Sequence, residues 1–187
     1  HANLQVYFNP LSYEIPQSPN AKLEPLPYSG YLMAVNPCRP TSRGHINIAS
    51  IDPEQAPLVS FNYLSTEKDR QEVIQACQLV RRISQAQALQ NVTVKEEKPA
   101  QKVRTEAEML AYFRTEGSSI YHLCGTCSMG EDPLLTVVNS ELKVHGLEGL
   151  RIADASVFPN ITSGNTNAAT MMVAAKAADL ILKPDFK

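Results

Sequence analysis

Apolar and polar positions alternate in the first third of the chain and then fall into helical spacing. In Leu4-Gln-Val-Tyr-Phe8, Leu4, Val6 and Phe8 share one face while Gln5 and Tyr7 take the other, the period of two that marks a half-buried strand. Tyr31 to Val35 forms a second such run, ended by Asn36-Pro37. Ile46 and Ile48 alternate with His45 and Asn47, and Val59, Phe61 and Tyr63 alternate with Ser60 and Asn62. Prolines and Asp52-Pro53 punctuate these runs, as expected of antiparallel strands joined by turns.

From Thr66 the period changes. Val73, Ala76, Cys77, Val80 and Ile83 recur at helical spacing behind Thr66-Glu-Lys-Asp69, which resembles a capping box. Cys77 lies inside this stripe and reads as a small buried hydrophobe. A polar connector rich in Lys and Glu, Lys95 to Lys102, leads to Thr105-Glu-Ala-Glu108, which caps a short helix carrying Met109, Leu110 and Phe113. In the last third, Val137-Val138, Leu142 to Val144 and Leu150 to Ile152 are short strand candidates, separated by Asn139-Ser140 and by Gly146 to Gly149. A polar loop, Asn160 to Asn167, then opens an apolar helix predicted over Ala168 to Leu182 and stopped by Lys183-Pro184.

Composition narrows the classes. The 187 residues suffice for one domain with a real core, or for one large and one small unit. An apolar fraction of 43% and a charged fraction of 19% are ordinary for a soluble globular protein. A net charge of −2 offers no footprint for nucleic acid or an anionic membrane, and Arg81, Arg82, Lys95 and Lys98 are interspersed with acids. No stretch approaches the roughly 18 to 20 continuous apolar residues of a membrane helix. The opening His-Ala-Asn-Leu-Gln has no apolar signal core, and a start at His1 rather than Met suggests a piece of a longer chain. The sequons at Asn91-Val-Thr93 and Asn160-Ile-Thr162 are of a kind that arises often by chance.

The densest chemistry lies in Ser119-Ile-Tyr-His122-Leu-Cys124-Gly-Thr-Cys127-Ser-Met-Gly130. The Cys124/Cys127 spacing suits zinc, but a closed site needs four ligands, and His122 is too near in sequence while His145 stands alone. No metal site is expected. A redox dithiol would sit at a helix N-terminus, whereas Ser128-Met-Gly-Glu-Asp-Pro133 is a loop, so the cysteines read as packing residues. The total of four cysteines is also too few and irregular for a disulfide framework. His122, after the apolar pair Ile120-Tyr121 and before a glycine turn, is expected at the end of a strand facing a cavity. Ser163-Gly-Asn165-Thr-Asn167 supplies N-cap chemistry for the last helix. Its plain reading is a capped helix. Its functional reading is a helix whose positive end faces a group that gains negative charge during reaction.

These residues carry a family resemblance. Tyr121 to Gly130, followed by the segment from Val137 through Asp154-Ala-Ser-Val-Phe-Pro159 to Leu182, resembles the C-terminal signature of the glucose–methanol–choline (GMC) flavoprotein oxidoreductases. Cys38 to Ser50, Asp52 to Leu64 and the helix from Ser65 resemble the same family's substrate domain, in the family's order and spacing.

The resemblance implies an α+β fold: an antiparallel mixed sheet flanked by helices, joined to the C-terminal strand and helix of a flavin domain. It implies a substrate-binding part over residues 1–118 and, over 119–187, an active-site loop with the segment returning to the FAD-binding domain. It assigns His122 to the flavin N5 and the substrate alcohol, and makes Asn165, eleven residues before Lys176, the second catalytic position, with Asn167 the weaker candidate. Asp154 and Ala155 would lie along the ribityl and pyrophosphate of FAD, and the Thr166 backbone would approach the pyrimidine edge. The implied reaction removes an alcohol proton and passes hydride to N5, the hydride chemistry belonging to the cofactor.

One departure is large: no G-x-G-x-x-G unit for the ADP half of FAD occurs in the sequence. The expectation is the C-terminal part of an FAD-dependent alcohol oxidoreductase, acting on a small alcohol with an N-terminal FAD-binding portion as its partner, and inactive alone. Tyr7, Asn9 and Met33 are candidates for the substrate pocket. Two alternatives stand beside it: a relative of the hydroxynitrile lyases, which resemble this family and hold FAD without using its redox chemistry, or a non-catalytic interaction domain.

Overall fold

The computed structural model describes residues 2–14, 22–99 and 103–182. The stop at Lys183-Pro184 and the end of the charged connector lie outside the described residues. The backbone divides into two compact units, one of residues 1–37 and 67–117, the other of residues 38–66 and 118–187.

In the first unit, β1 (Leu4–Asn9) pairs antiparallel with β2 (Leu32–Pro37), Leu4 opposite Pro37 and Asn9 opposite Leu32. β2 runs on through Asn36-Pro37, which the sequence marks as a stop. Pro37 sits at the terminus, where a missing N–H does little harm. The alternation of β1 is present, but its faces are used the other way round. Val6 and Phe8 are exposed, while Gln5, Tyr7 and Asn9 are half-buried. The reason lies in α1 (Glu67–Ser84), which packs on this sheet. Asn3, of the same parity as Gln5, donates from Nδ2 to Glu72 Oε1 of α1 at 3.4 Å. The helix therefore turns the buried acid Glu72 toward the start of β1, and Asp69 of its first turn is buried too. Phe8 instead stacks on Tyr31, with centroids 5.3 Å apart.

The expected α1 stripe is buried at Val73 and Ala76, joined by Ile74, with Cys77, Val80 and Ile83 half-buried. A short helix that the period did not reveal, α2 (Gln87–Gln90), follows. α3 (Glu106–Glu116) packs against α1 and buries Met109. Its Thr105/Glu108 capping box forms as the sequence predicts.

In the second unit, β3 (His45–Asn47) pairs antiparallel with β4 (Leu58–Ser60). Gly44 is required there because a Cβ would lie 2.0 Å from the Ser60 carbonyl oxygen. β4 is shorter than the alternation suggests, since Asn62 (φ 51°) and Leu64 (φ 57°) turn left-handed just beyond it. The three candidate strands between Val137 and Ile152 make only single bridges, Val138 to Met129 and to Val144, and Lys143 to Arg151. Leu142 (φ 63°), Gly146 (φ 74°) and Gly149 (φ 73°) turn the chain too often for a ladder. The core beneath these turns is Val138, Leu142, Val157 and Phe158 with Val173 and Ala177 of α4 (Asn167–Leu182). Among the described residues no helix is long and apolar enough to cross a membrane.

Candidate functional site

The loop from Ser119 is not a strand end. Tyr121 adopts φ 61°, its N–H turned to Ser119 Oγ at 3.0 Å, and this kink takes His122 out of any extended run. Tyr121 is exposed and His122 half-buried. Gly125, at φ 91°, makes the turn that follows, where a Cβ would come within 3.2 Å of the Phe158 carbonyl oxygen. The loop is then strapped to the segment after Asp154. Cys127 N–H donates to the Ser156 carbonyl at 3.0 Å, and Met129 N–H to the Val157 carbonyl at 2.9 Å.

That segment is a single 3-10 turn, Ala155–Val157, capped by Asp154, whose Oδ1 accepts from Ser156 N–H at 2.7 Å. The hydrogen bonds from the Ser156 side chain and backbone hold the Asp154 carboxyl below the usual carboxylate range. Asp154 is exposed, and Ala155 packs against the core.

The start of α4 meets the histidine loop directly. Thr166, buried at 8% exposure, places Oγ1 3.1 Å from His122 Nδ1 across 44 residues of sequence. Its carbonyl accepts the first helical bond, from Thr170 N–H at 2.9 Å. Asn165 and Asn167 flank it and are exposed. The structure thus joins His122 to Thr166, sets Asn165 beside Thr166, and ties the Asp154-Ala155 turn to the same loop through Cys127.

The cysteines are free thiols. Burial pushes the Cys124 thiol up, against the opposing charge of Arg43, and Cys124 packs on the core. Burial likewise pushes up Cys77, against Arg81. Raised thiols make poor nucleophiles, which agrees with packing roles. Among the described residues no group of three or more His, Cys, Asp or Glu converges as metal ligands would. His145 braces a turn, with Nε2 at 3.0 Å from the Gly130 carbonyl oxygen and 3.2 Å from Thr136 Oγ1.

Sequence reasoning missed two residues here. Arg39 Nε donates to Ser163 Oγ at 2.6 Å, and the Arg43 guanidinium donates to Asn160 Oδ1. The only signal was two arginines four apart in a segment of prolines and hydroxyls, Cys38-Arg-Pro-Thr-Ser-Arg-Gly44. An open cavity of about 570 Å³ lies elsewhere, lined by Ile48, Ile51, Asp52 and Gln55 of the connection from β3 to β4, and holds none of the residues above. Tyr7, Asn9 and Met33 lie on β1 and β2 of the first unit, where Asn9 Nδ2 reaches Tyr13 Oη at 3.4 Å.

Comparison with known proteins bears on what this arrangement is for. Residues 40–174 match a family model described as GMC oxidoreductase. The oxygen-dependent choline dehydrogenase of Escherichia coli O139:H28 (strain E24377A / ETEC) is 40% identical over 179 residues, which cover 96% of this chain and 31% of that protein. The chain thus spans about a third of the length of such relatives. Among solved structures, pyridoxine 4-oxidase from Mesorbium loti is 31% identical with a TM-score of 0.76, over 80% of this chain and 29% of that one. An FAD-dependent oxidoreductase from Chaetomium thermophilum is also 31% identical, with a TM-score of 0.77, over 84% of this chain and 27% of that one.

Proposed function

Since the chain belongs to the GMC oxidoreductase family, we propose that it is the part of an FAD-dependent alcohol oxidoreductase that supplies the proton acceptor and the alcohol-orienting group. The observation that carries this reading is the contact between His122 Nδ1 and Thr166 Oγ1 at 3.1 Å, which binds a histidine loop to the start of an apolar helix.

The donor set suits a flavin. A sixteen-residue helix, α4, begins beside the histidine, and its first N–H groups and positive dipole end favour an electron-rich ring edge. Asn165 and the Thr166 backbone would face that edge, and Asp154 and Ala155 would lie along the ribityl and pyrophosphate. The ADP half would be held by an N-terminal FAD-binding portion, whose G-x-G-x-x-G fingerprint is not in this sequence. When bound, FAD supplies the two-electron acceptor that takes hydride from the alcohol carbon at N5.

The protein's own work is positional. In the tautomer whose Nδ1–H donates to the Thr166 hydroxyl, the lone pair of His122 sits on Nε2, free to take the alcohol proton. The Asn165 amide would hold the hydroxyl oxygen so that its proton points to Nε2 and its carbon hydrogen away from it. The substrate is a small alcohol, and choline, in the name of the Escherichia coli relative, is the first to assay.

His122→Ala in the complete flavin-loaded protein is expected to slow flavin bleaching by an alcohol by about 10²- to 10⁴-fold, with FAD still bound. Stopped-flow absorbance measures it. Near-normal bleaching would remove His122 from the mechanism. A flavin that stays oxidised with every alcohol while a cyanohydrin is cleaved would replace oxidation with the lyase reading.

A further inference from the structure

Arg39 and Arg43 stand four residues apart in the second unit, and both reach one short stretch of loop. Arg39 Nε meets Ser163 Oγ at 2.6 Å, and Arg43 Nη2 meets Asn160 Oδ1, contacts that span 124 and 117 residues of sequence. Arg43 is itself anchored: its carbonyl accepts from Asn62 Nδ2 at 2.8 Å, just beyond β4. Its charge also opposes the effect of burial on Cys124, two residues past His122.

The geometry points to Arg39 and Arg43 as positioning residues that hold loop Asn160–Ser163 so that Asn165 and Thr166 keep station at His122. This rests on the reading of the site given above. A polar loop entering a helix is opposed by backbone entropy, and one tether leaves it free to pivot. Two tethers at its two ends, Asn160 and Ser163, restrict both its position and its tilt. Arginine suits the task because its planar, permanently charged fork loses less freedom per hydrogen bond than a lysine ammonium. The Thr166 hydroxyl lies three residues past the second tether, so slack at Asn160–Ser163 is passed directly to the His122 contact.

The test uses the complete flavin-loaded protein. Arg43→Ala and Arg39→Ala are each expected to slow flavin reduction at saturating alcohol about tenfold or more, since a displacement of about 1 Å can cost 10²-fold. The KM for the alcohol should move less than the rate. Arg43→Lys should recover part of the loss. The ring ¹⁵N resonances of His122, read without turnover, should shift from a single-tautomer pattern toward a mixture in both alanine variants.

Asn160→Ala and Ser163→Ala cut the same two contacts from the loop side and carry the test if an arginine variant misfolds. The doubles Arg43→Ala/Asn160→Ala and Arg39→Ala/Ser163→Ala should lose no more than the single arginine variants. Wild-type reduction with unchanged His122 resonances in both arginine variants, or losses that simply add in the doubles, would overturn the assignment. Rapid reduction by His122→Ala sinks the reading of the site instead, and the ¹⁵N result for the arginines is independent of it.

Discussion

Two threonines precede two helices and spend their hydroxyls differently. Thr105, before α3, turns Oγ1 to the N–H of Glu108 at 3.2 Å, and Glu108 Oε2 returns to the Thr105 N–H at 2.8 Å. Thr166, before α4, places its hydroxyl on His122 Nδ1 at 3.1 Å. The third helical position differs as well. In α3 it is a glutamate able to close the box; in α4 it is Ala169, with nothing to reach back. A helix start that closes on itself is spent on stability. At α4 the threonine hydroxyl reaches another loop.

The sharpest test of that contrast is Thr166→Val, which keeps the shape and removes the hydroxyl. Flavin reduction in the complete protein should fall about tenfold, and the His122 ring ¹⁵N signals should move toward mixed tautomers. Thr166→Ser should stay near wild type on both measures. A valine variant with normal reduction and unmoved resonances would mean that the hydroxyl positions nothing.

The pattern of period and cap made α1, α3 and α4 legible, because each has its apolar residues at helical spacing and a recognisable start. α1 also shows where that reading fails. Its spacing located Val73 and Ala76 in the core, but not the burial of Asp69 and Glu72, the latter held by Asn3 just before β1. The alternation in β1 marks two faces without saying which of them a helix will cover. Between Val137 and Ile152, apolar pairs suggested strands that left-handed residues at 142, 146 and 149 reduce to single bridges. Local pattern carries no information about those dihedrals at Leu142.

The candidate site was half legible for the same reason. His122, Asn165 and the Asp154 turn are motif residues, close to strong local signals. The links among them are not local. Thr166 lies between two asparagines that draw attention as caps, and its partner is 44 residues away. Arg39 and Arg43 reach still farther, and both are exposed, so nothing in the loop's own sequence marks their partners. α4 adds a further lesson: it is apolar nearly all round, yet of its residues Val173 and Ala177 are buried while Met171, Met172, Ile181 and Leu182 are exposed. Composition predicted the helix, whereas burial depends on which faces find partners.

Smaller effects test the other side of the comparison. Thr105→Ala should cost about 1 kcal/mol of stability, seen as a lower melting temperature of the complete protein, with flavin reduction per bound flavin unchanged. An unchanged melting temperature would show that the box adds nothing to α3. The same box predicts a pH dependence. Hydrogen bonds from the Thr105 and Arg104 backbone N–H groups hold the Glu108 carboxyl below its ordinary value of 4.5. A depressed folded value means that the contribution is fully present above that ordinary value. It is lost as pH falls through the lowered one, because protonation weakens Oε2 as an acceptor. Amide-exchange protection in the first turn of α3 should therefore decline between about pH 5 and 3. Glu108→Gln keeps an acceptor oxygen without a titrating proton and should flatten that decline. Equal slopes in the two proteins would assign the pH dependence to some group other than Glu108, and the box at Thr105 would then act through geometry alone.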